Sequence, residues 1–299
     1  MKGIIINPNS FNSVIASTNI AKFLSNKMKM PMYGKHNFKE VKKNNTFEWV
    51  LLMNSGFGCV TDKEFGEWIA DTVKKSAKPV FICNDYKLLY PCGYTRFIDP
   101  KKYTYWTTIP EYDGRLCKEL IYVNWNKLTY QPSPVIPPKY TKIIYWGAYR
   151  KSRISKFEKF LNHKLVTIST SSRAKKGFIE SCPKATLVPN FEHLYQSIKK
   201  YWYTIYLEDD TKKYCSPANR FYEAISAGVP MFFQPESVNT FKKAGYDVSK
   251  YVIHDTNEFS KKILLNGFRY QMQTEQLAWR RDYIKELNQE VDNAIARTK

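Results

Sequence analysis

Trp49-Val50-Leu51-Leu52-Met53-Asn54, the loop Ser55-Gly56-Phe57-Gly58, a helical stretch opening at Thr61, and Pro79-Val80-Phe81-Ile82-Cys83-Asn84 together decide the fold. Each flanking run is apolar without alternation, which is what a strand covered on both faces requires. Between them Phe65, Trp68, Ile69 and Val73 fall on one face of a helix, and Thr61 with Glu64 has the spacing of a capping box. Strand, loop, helix and strand at these lengths make a parallel βαβ unit. Upstream, Ile4-Ile5-Ile6-Asn7 and the helix-like spacing from Val14 to Lys27 through Ile15, Ile20 and Phe23-Leu24 add another strand and helix. The first half therefore predicts a doubly wound α/β sheet.

Downstream, Gln131-Pro132-Ser133-Pro134-Val135-Ile136-Pro137-Pro138 resists both helix and central strand and reads as an interdomain linker. Beyond it strands at Ile143–Trp146, Leu165–Ser169, Tyr203–Leu207 and Val229–Phe233 alternate with helices at Ser152–Leu161, Glu192–Lys200 and through Phe221–Ile225, predicting a second α/β sheet. Asn266 to Arg297 is polar and helical, with apolar positions at Leu277, Tyr283, Ile284, Leu287, Val291 and Ile295. The expected organisation is one Rossmann-like domain over residues 1–134, a second over 139–268, and a C-terminal helix over 269–299 that packs back across the domains.

The chain has 299 residues, 43% hydrophobic and 16% aromatic, enough apolar material for folded domains. Its 47 Lys and Arg against 27 Asp and Glu leave a formal charge of +20, which points to a polyanionic partner, nucleic acid first. No run approaches the ~18 apolar residues of a membrane span, and the start Met1-Lys2-Gly3-Ile4-Ile5-Ile6 lacks the pattern of a signal peptide, so a cytoplasmic chain is expected. Cys59, Cys83, Cys92, Cys117, Cys182 and Cys215 are far apart, without a CxxC pair, and are expected to be reduced thiols rather than zinc ligands or a disulfide framework.

Three segments carry candidate chemistry. In Trp146-Gly147-Ala148-Tyr149-Arg150-Lys151-Ser152-Arg153 a strand turns into a helix at a glycine, with two arginines three apart. That suits a diphosphate and equally a solvated basic helix start. Asn219-Arg220-Phe221-Tyr222-Glu223 sets a guanidinium and a carboxylate one turn apart on a helix that stops at Gly228, either a grip on phosphate and ribose or a surface ion pair. The phrase R-x-x-E-A-x-x-A-G-V-P before a strand is similar to the pattern of nucleotide-sugar transferases with two Rossmann domains. Asp85 follows a strand end, where open α/β sheets bind ligands, and suits a general base or a turn aspartate.

Taken in order, these segments resemble the DNA β-glucosyltransferases of T-even bacteriophages, two-domain GT-B enzymes that move glucose from UDP-glucose to 5-hydroxymethylcytosine in duplex DNA. The resemblance runs from the Ile4–Asn7 strand through Met53-Asn54-Ser55 and Asp85 to Ile144–Arg150, Arg153 and Arg220–Glu223. It implies a GT-B fold with two Rossmann-like domains facing a cleft, Asp85 as catalytic base, Arg150, Arg153 and Arg220 on the diphosphate, and Glu223 on the donor ribose. It further implies that Gly147 brings backbone close to the donor, that Asn190-Phe191 meets the uracil, and that Thr18 stands where the family has an acidic residue near the sugar. The implied partners are a UDP-sugar, UDP-glucose foremost, and hydroxymethylated duplex DNA, bound by a monomer. A divalent ion, Mg²⁺ or Mn²⁺, has one nearby acidic run to bind, Glu208-Asp209-Asp210, which reads equally as a solvated loop. Tyr86, Tyr90, Tyr94, Phe97, Tyr103, Tyr105 and Trp106 are candidates to stack on a displaced base or to build core. Two other functions fit the same residues: a GT-B transferase with a non-DNA acceptor, and a basic DNA-binding protein without catalysis.

Overall fold

The computed structural model describes residues 3–8, 15–41, 46–53, 62–83, 98–108, 117–208, 216–263 and 266–298. It divides into two compact units, Met1–Leu128 with Tyr283–Lys299, and Thr129–Asp282.

The first unit contains β1 (Gly3–Ile6), α1 (Ile15–Met28), β2 (Met32–Tyr33), β3 (Trp49–Met53), α2 (Lys63–Lys74), β4 (Lys78–Cys83), β5 (Thr104–Thr107) and β6 (Glu119–Tyr122). The strands pair in parallel in the order β2-β1-β3-β4-β5-β6. Side chains alternate across such a sheet, so neighbouring residues of one strand enter different cores. Ile4, Ile6, Val50 and Leu52 pack with Phe65, Ile69 and Val73 of α2. Ile5, Leu51 and Met53 pack on the opposite face with Ile20 and Leu24 of α1. Full burial of each such side chain is worth about 1.5–3 kcal/mol. The α2 start differs from expectation: Asp62, not Thr61, is the N-cap, its Oδ1 accepting from the Phe65 amide at 3.1 Å. A carboxylate also complements the positive end of the helix, which a threonine hydroxyl does not.

In the second unit β7 (Tyr140–Trp146), α3 (Ile154–Leu161), β8 (Val166–Thr170), α4 (Ser172–Ser181), β9 (Thr186–Pro189), α5 (Leu194–Ile198), β10 (Tyr201–Tyr206), α6 (Asn219–Ala227), β11 (Met231–Phe233), α7 (Val238–Lys243), α8 (Thr256–Ile263) and α9 (Asn266–Leu277) follow one another. Their sheet is parallel in the order β11-β10-β7-β8-β9. The chain winds from β7 toward β9, then returns to lay β10 on the other side of β7. The carboxyl ends of β7 and β10 thus flank a topological switch point, where open α/β sheets bind ligands. At Gly228 the backbone turns left-handed, φ +67°, and ends α6.

The proline-rich stretch is fastened to this second unit. The Gln131 amide donates to Ser226 Oγ at 2.9 Å, the Ser133 amide to the Ser226 carbonyl at 3.1 Å, and Arg280 Nη2 to the Ser133 carbonyl at 3.1 Å. The segment expected as one helix over 269–299 is two, α9 in the second unit and α10 (Tyr283–Arg297) in the first. Leu287, Val291 and Ala294 of α10 join the α1 side of the first core. Lys127, on the preceding chain, meets Glu290 at 2.6 Å and Glu286 at 3.0 Å, while Glu290 also accepts the Asn124 amide at 2.7 Å.

Of the aromatics expected either to stack on a displaced base or to build core, Tyr105 and Trp106 build core: they form part of β5 and are 2% and 0% exposed. Trp106 Nε1 donates to Thr298 Oγ1 at 3.0 Å, so its polar edge is also used. Tyr103 packs on Phe81, and Tyr86, Tyr90, Tyr94 and Phe97 lie outside the described residues. Cys83, Cys117 and Cys182 are buried, and burial pushes the Cys182 thiol up to about 12. Cys59, Cys92 and Cys215 lie outside the described residues. Among the described residues no helix is long and apolar enough to cross a membrane.

Candidate active site

The end of β7 supplies the floor of the site. Ile143, Ile144 and Tyr145 are fully buried, and the strand gives way at Gly147 to an irregular turn. Tyr149 anchors that turn to α4, its hydroxyl 3.1 Å from Ser181 Oγ and its ring edge-on to Phe178 at 5.1 Å. Arg150 then opens a tight turn over Lys151–Arg153 that runs directly into α3. Arg150 is half-buried, whereas Arg153 is 7% exposed and Lys156, one helical turn on, is 6% exposed. Lys156 Nζ donates to the Glu208 carbonyl at 2.8 Å, which ties α3 to the chain leaving β10.

The other wall is α6. Its first turn is fixed by the Ala218 amide donating to Tyr206 Oη at 3.0 Å. Burial foremost, then the Glu208 carboxylate, pushes the Tyr206 phenol far up. Arg220 lies against Tyr145, its guanidinium carbon 4.6 Å from the ring centre, and Nη1 donates to the Leu207 carbonyl at 3.4 Å. Glu223 is half-buried and accepts from Trp146 Nε1 at 2.7 Å. Burial pushes the Glu223 carboxyl up, against that hydrogen bond and the Arg220 charge. Among the described residues Ser216 Oγ, Asn219 Oδ1 and Arg220 Nε are buried without a hydrogen-bond partner. Buried polar atoms are nearly always satisfied, so these three, within five residues of one another, are groups that a polar ligand here would satisfy.

Arg220 and Glu223 of α6 are thereby joined to Tyr145 and Trp146 at the end of β7, and Arg150 and Arg153 follow within the same turn. Asn190 and Phe191 come immediately after β9, exposed and half-buried, with Ser169 Oγ donating to the Pro189 carbonyl at 3.1 Å. They stand at the same carboxyl edge two strands from β7, about 10 Å by strand spacing. Thr18 is 6% exposed on α1 of the first unit. Asp85, Asp209 and Asp210 lie outside the described residues. Glu208 is buried with both carboxylate oxygens accepting from Thr240 Oγ1, at 3.1 and 3.3 Å. Among the described residues no group of three His, Cys, Asp or Glu is placed to hold a metal ion.

Sequence reasoning missed Tyr145, Lys156 and the Trp146 indole. Lys156 had a signal in its spacing, three residues beyond Arg153 on the same helical face, but nothing in the sequence separates it from the chain's many solvated lysines.

Two parallel sheets with flanking helices, one in each unit, make the α/β architecture of the GT-B fold. No protein-family model and no curated protein sequence matches the chain. Among solved structures it is similar to a DNA-modifying β-glucosyltransferase studied with and without uridine diphosphoglucose, at TM-score 0.73 and 14% identity over 99% of both chains. The β-glucosyltransferase of T4 phage bound to UDP and Mn²⁺ matches at TM-score 0.68 and 15% identity over 100% of this chain and 99% of that one. An α-glucosyltransferase in complex with UDP and a 13-mer DNA matches at TM-score 0.59 and 10% identity over 97% and 95%.

Proposed function

We propose that the protein is an enzyme that transfers a sugar from a UDP-sugar, UDP-glucose foremost, to the hydroxymethyl group of 5-hydroxymethylcytosine in duplex DNA. The observation that carries the donor half is the seating of Arg220 and Glu223 against Tyr145 and Trp146 at the switch point of the second sheet. The DNA half draws support from the net charge of +20 and from the full-length likeness in fold to enzymes that modify DNA. Since DNA and UDP-sugars meet inside cells, the site of action in this reading is the cytoplasm, and the working form is the monomer.

In this mechanism Arg150, Arg153 and Arg220 hold the diphosphate and stabilise the negative charge that grows on departing UDP. A preorganised donor of this kind is worth about 100- to 1000-fold in rate. Glu223 accepts the ribose hydroxyls, and Asn190-Phe191 borders the uracil. The acceptor base leaves the stack, at a cost of a few kcal/mol that backbone contacts by lysines offset. Asp85 takes the hydroxymethyl proton as its oxygen attacks the anomeric carbon, and a single displacement inverts that centre. A divalent ion, Mg²⁺ or Mn²⁺, would add to this stabilisation of the departing diphosphate, with the Glu208-Asp209-Asp210 run as the acidic residues to hold it.

The test is direct. The protein is incubated with a panel of UDP-sugars and duplexes carrying hydroxymethylcytosine, hydroxymethyluracil or unmodified cytosine, and the DNA is digested to nucleosides and weighed. A gain of one hexose on hydroxymethylcytosine alone, lost in Asp85→Ala, is the expected result. UDP-sugar turnover without any gain in DNA mass would overturn the acceptor.

A further inference from the structure

Three observations meet at Arg220. Its guanidinium lies 4.6 Å over the Tyr145 ring, and that ring is itself immobilised, fully buried with Phe157 and Phe178 edge-on to it at 5.9 and 6.3 Å. Gly147 has φ +156°, and a Cβ built there would collide with Arg220 Nη2 and lie 3.1 Å from the Tyr145 hydroxyl. Among the described residues the guanidinium's own hydrogen bonding is slight: one contact at 3.4 Å to the Leu207 carbonyl, and none at Nε. A cation held by an aromatic face and by shape, with the neighbouring Glu223 carboxylate bonded to the Trp146 indole, keeps its planar donor fork available for a phosphate.

We propose that Gly147 and Tyr145 are positioning residues that seat the Arg220 guanidinium at the switch point, ready for a diphosphate. Gly147 acts by leaving open the volume that Nη2 occupies, and Tyr145 by presenting its ring face. This deepens the donor-site reading given above and rests on it for the identity of the ligand. It also gives Gly147 a different task from the expected one: the glycine admits a side chain of its own protein rather than bringing backbone to the donor. Among the described residues the Tyr145 hydroxyl has no hydrogen-bond partner, so the seat needs only the ring.

The experiment is a calorimetric titration of UDP into the full-length protein and its variants, with folding checked by circular dichroism. Arg220→Met weakens UDP binding by about 30-fold, the value of a charge-assisted hydrogen bond. Gly147→Ala and Tyr145→Leu each weaken it by roughly tenfold or more, while Tyr145→Phe, which keeps the ring, stays within about twofold. In the Arg220→Met background Gly147→Ala and Tyr145→Leu each add less than about twofold, because the group they position is gone. If Gly147→Ala costs the same factor with and without Arg220, the glycine serves the ligand through its own backbone and the proposal is wrong. Wild-type affinity in Tyr145→Leu would overturn it equally. Should the wild-type protein bind no UDP, the donor-site reading fails instead, and the seat is then read without ligand. Thermal shifts of Tyr145→Leu and Arg220→Met are expected to be non-additive in the double variant, and additive shifts would remove the seat as well.

Discussion

Lys127 in the first unit and Arg220 in the second are both cations drawn in from solvent, and they are treated in opposite ways. Lys127 is matched by two carboxylates, at 2.6 and 3.0 Å, on the helix that closes the first core. Arg220 is set on an aromatic ring and, among the described residues, has one long contact to a carbonyl and a guanidinium nitrogen without a partner. A cation whose charge is met inside the fold has its work done there, fastening α10. One held on a ring, without a carboxylate at ion-pair distance among the described residues, keeps its donors available, which is what the proposed donor site requires.

The largest effect that tests this contrast is on stability in the first unit. Lys127→Met leaves Glu286 and Glu290 without their cation and is expected to lower unfolding free energy by about 3 kcal/mol in urea titrations, less than a fully buried pair because both acids keep some exposure. UDP affinity should be unchanged. Arg220→Met should do the reverse, weakening UDP by about 2 kcal/mol in calorimetry with little change in the urea midpoint. A stability loss in Arg220→Met as large as that in Lys127→Met would erase the distinction.

A smaller effect comes from Glu223. Burial favours its neutral form in the fold and raises its value above the ordinary 4.5. The resulting stabilisation is complete below pH 4.5 and disappears as pH rises through the raised value, so stability measured against pH should decline across that window. Glu223→Gln should flatten the decline, and an unchanged profile would show that the carboxyl does not titrate where its surroundings imply. Smallest is Asp62→Ala, which removes the α2 cap. Hydrogen bonding from the Phe65 amide holds the Asp62 carboxyl below its usual value, so its contribution is present at neutral pH and fades as pH falls through that lowered value. The variant should melt slightly below wild type at pH 7 and converge with it in acid.

The parts of this molecule that were legible from residues alone are those where one strand or helix carries its own signature. Trp49–Met53 and Lys78–Cys83 are buried on both faces, and their unbroken apolar runs announce it. The placement of Arg220 and Glu223 one turn apart on a helix that ends at a glycine is equally legible. Thr104-Tyr105-Trp106-Thr107 carries no clear strand signature, because threonines at both ends interrupt the apolar run. Adjacent Thr61 and Asp62 both have capping chemistry, and only the folded backbone decides between them. Tyr145 and Lys156 were invisible as site residues for one reason: stacking on Arg220 and reaching the Glu208 carbonyl are tertiary contacts between segments 52 to 75 residues apart, with no local pattern.

The central claim is that a uridine diphosphate lies along the carboxyl edge of the second sheet, its diphosphate toward Arg220 and its base toward Asn190-Phe191. Photolabelling with 5-azido-UDP-glucose followed by peptide mapping tests it most directly, because the azide reports where the base sits. The label should fall on the peptide holding Asn190 and Phe191, saturate, be displaced by UDP, and fade in Arg220→Met. Saturable labelling confined to the first unit, or labelling that unlabelled UDP leaves unchanged, would contradict the claim.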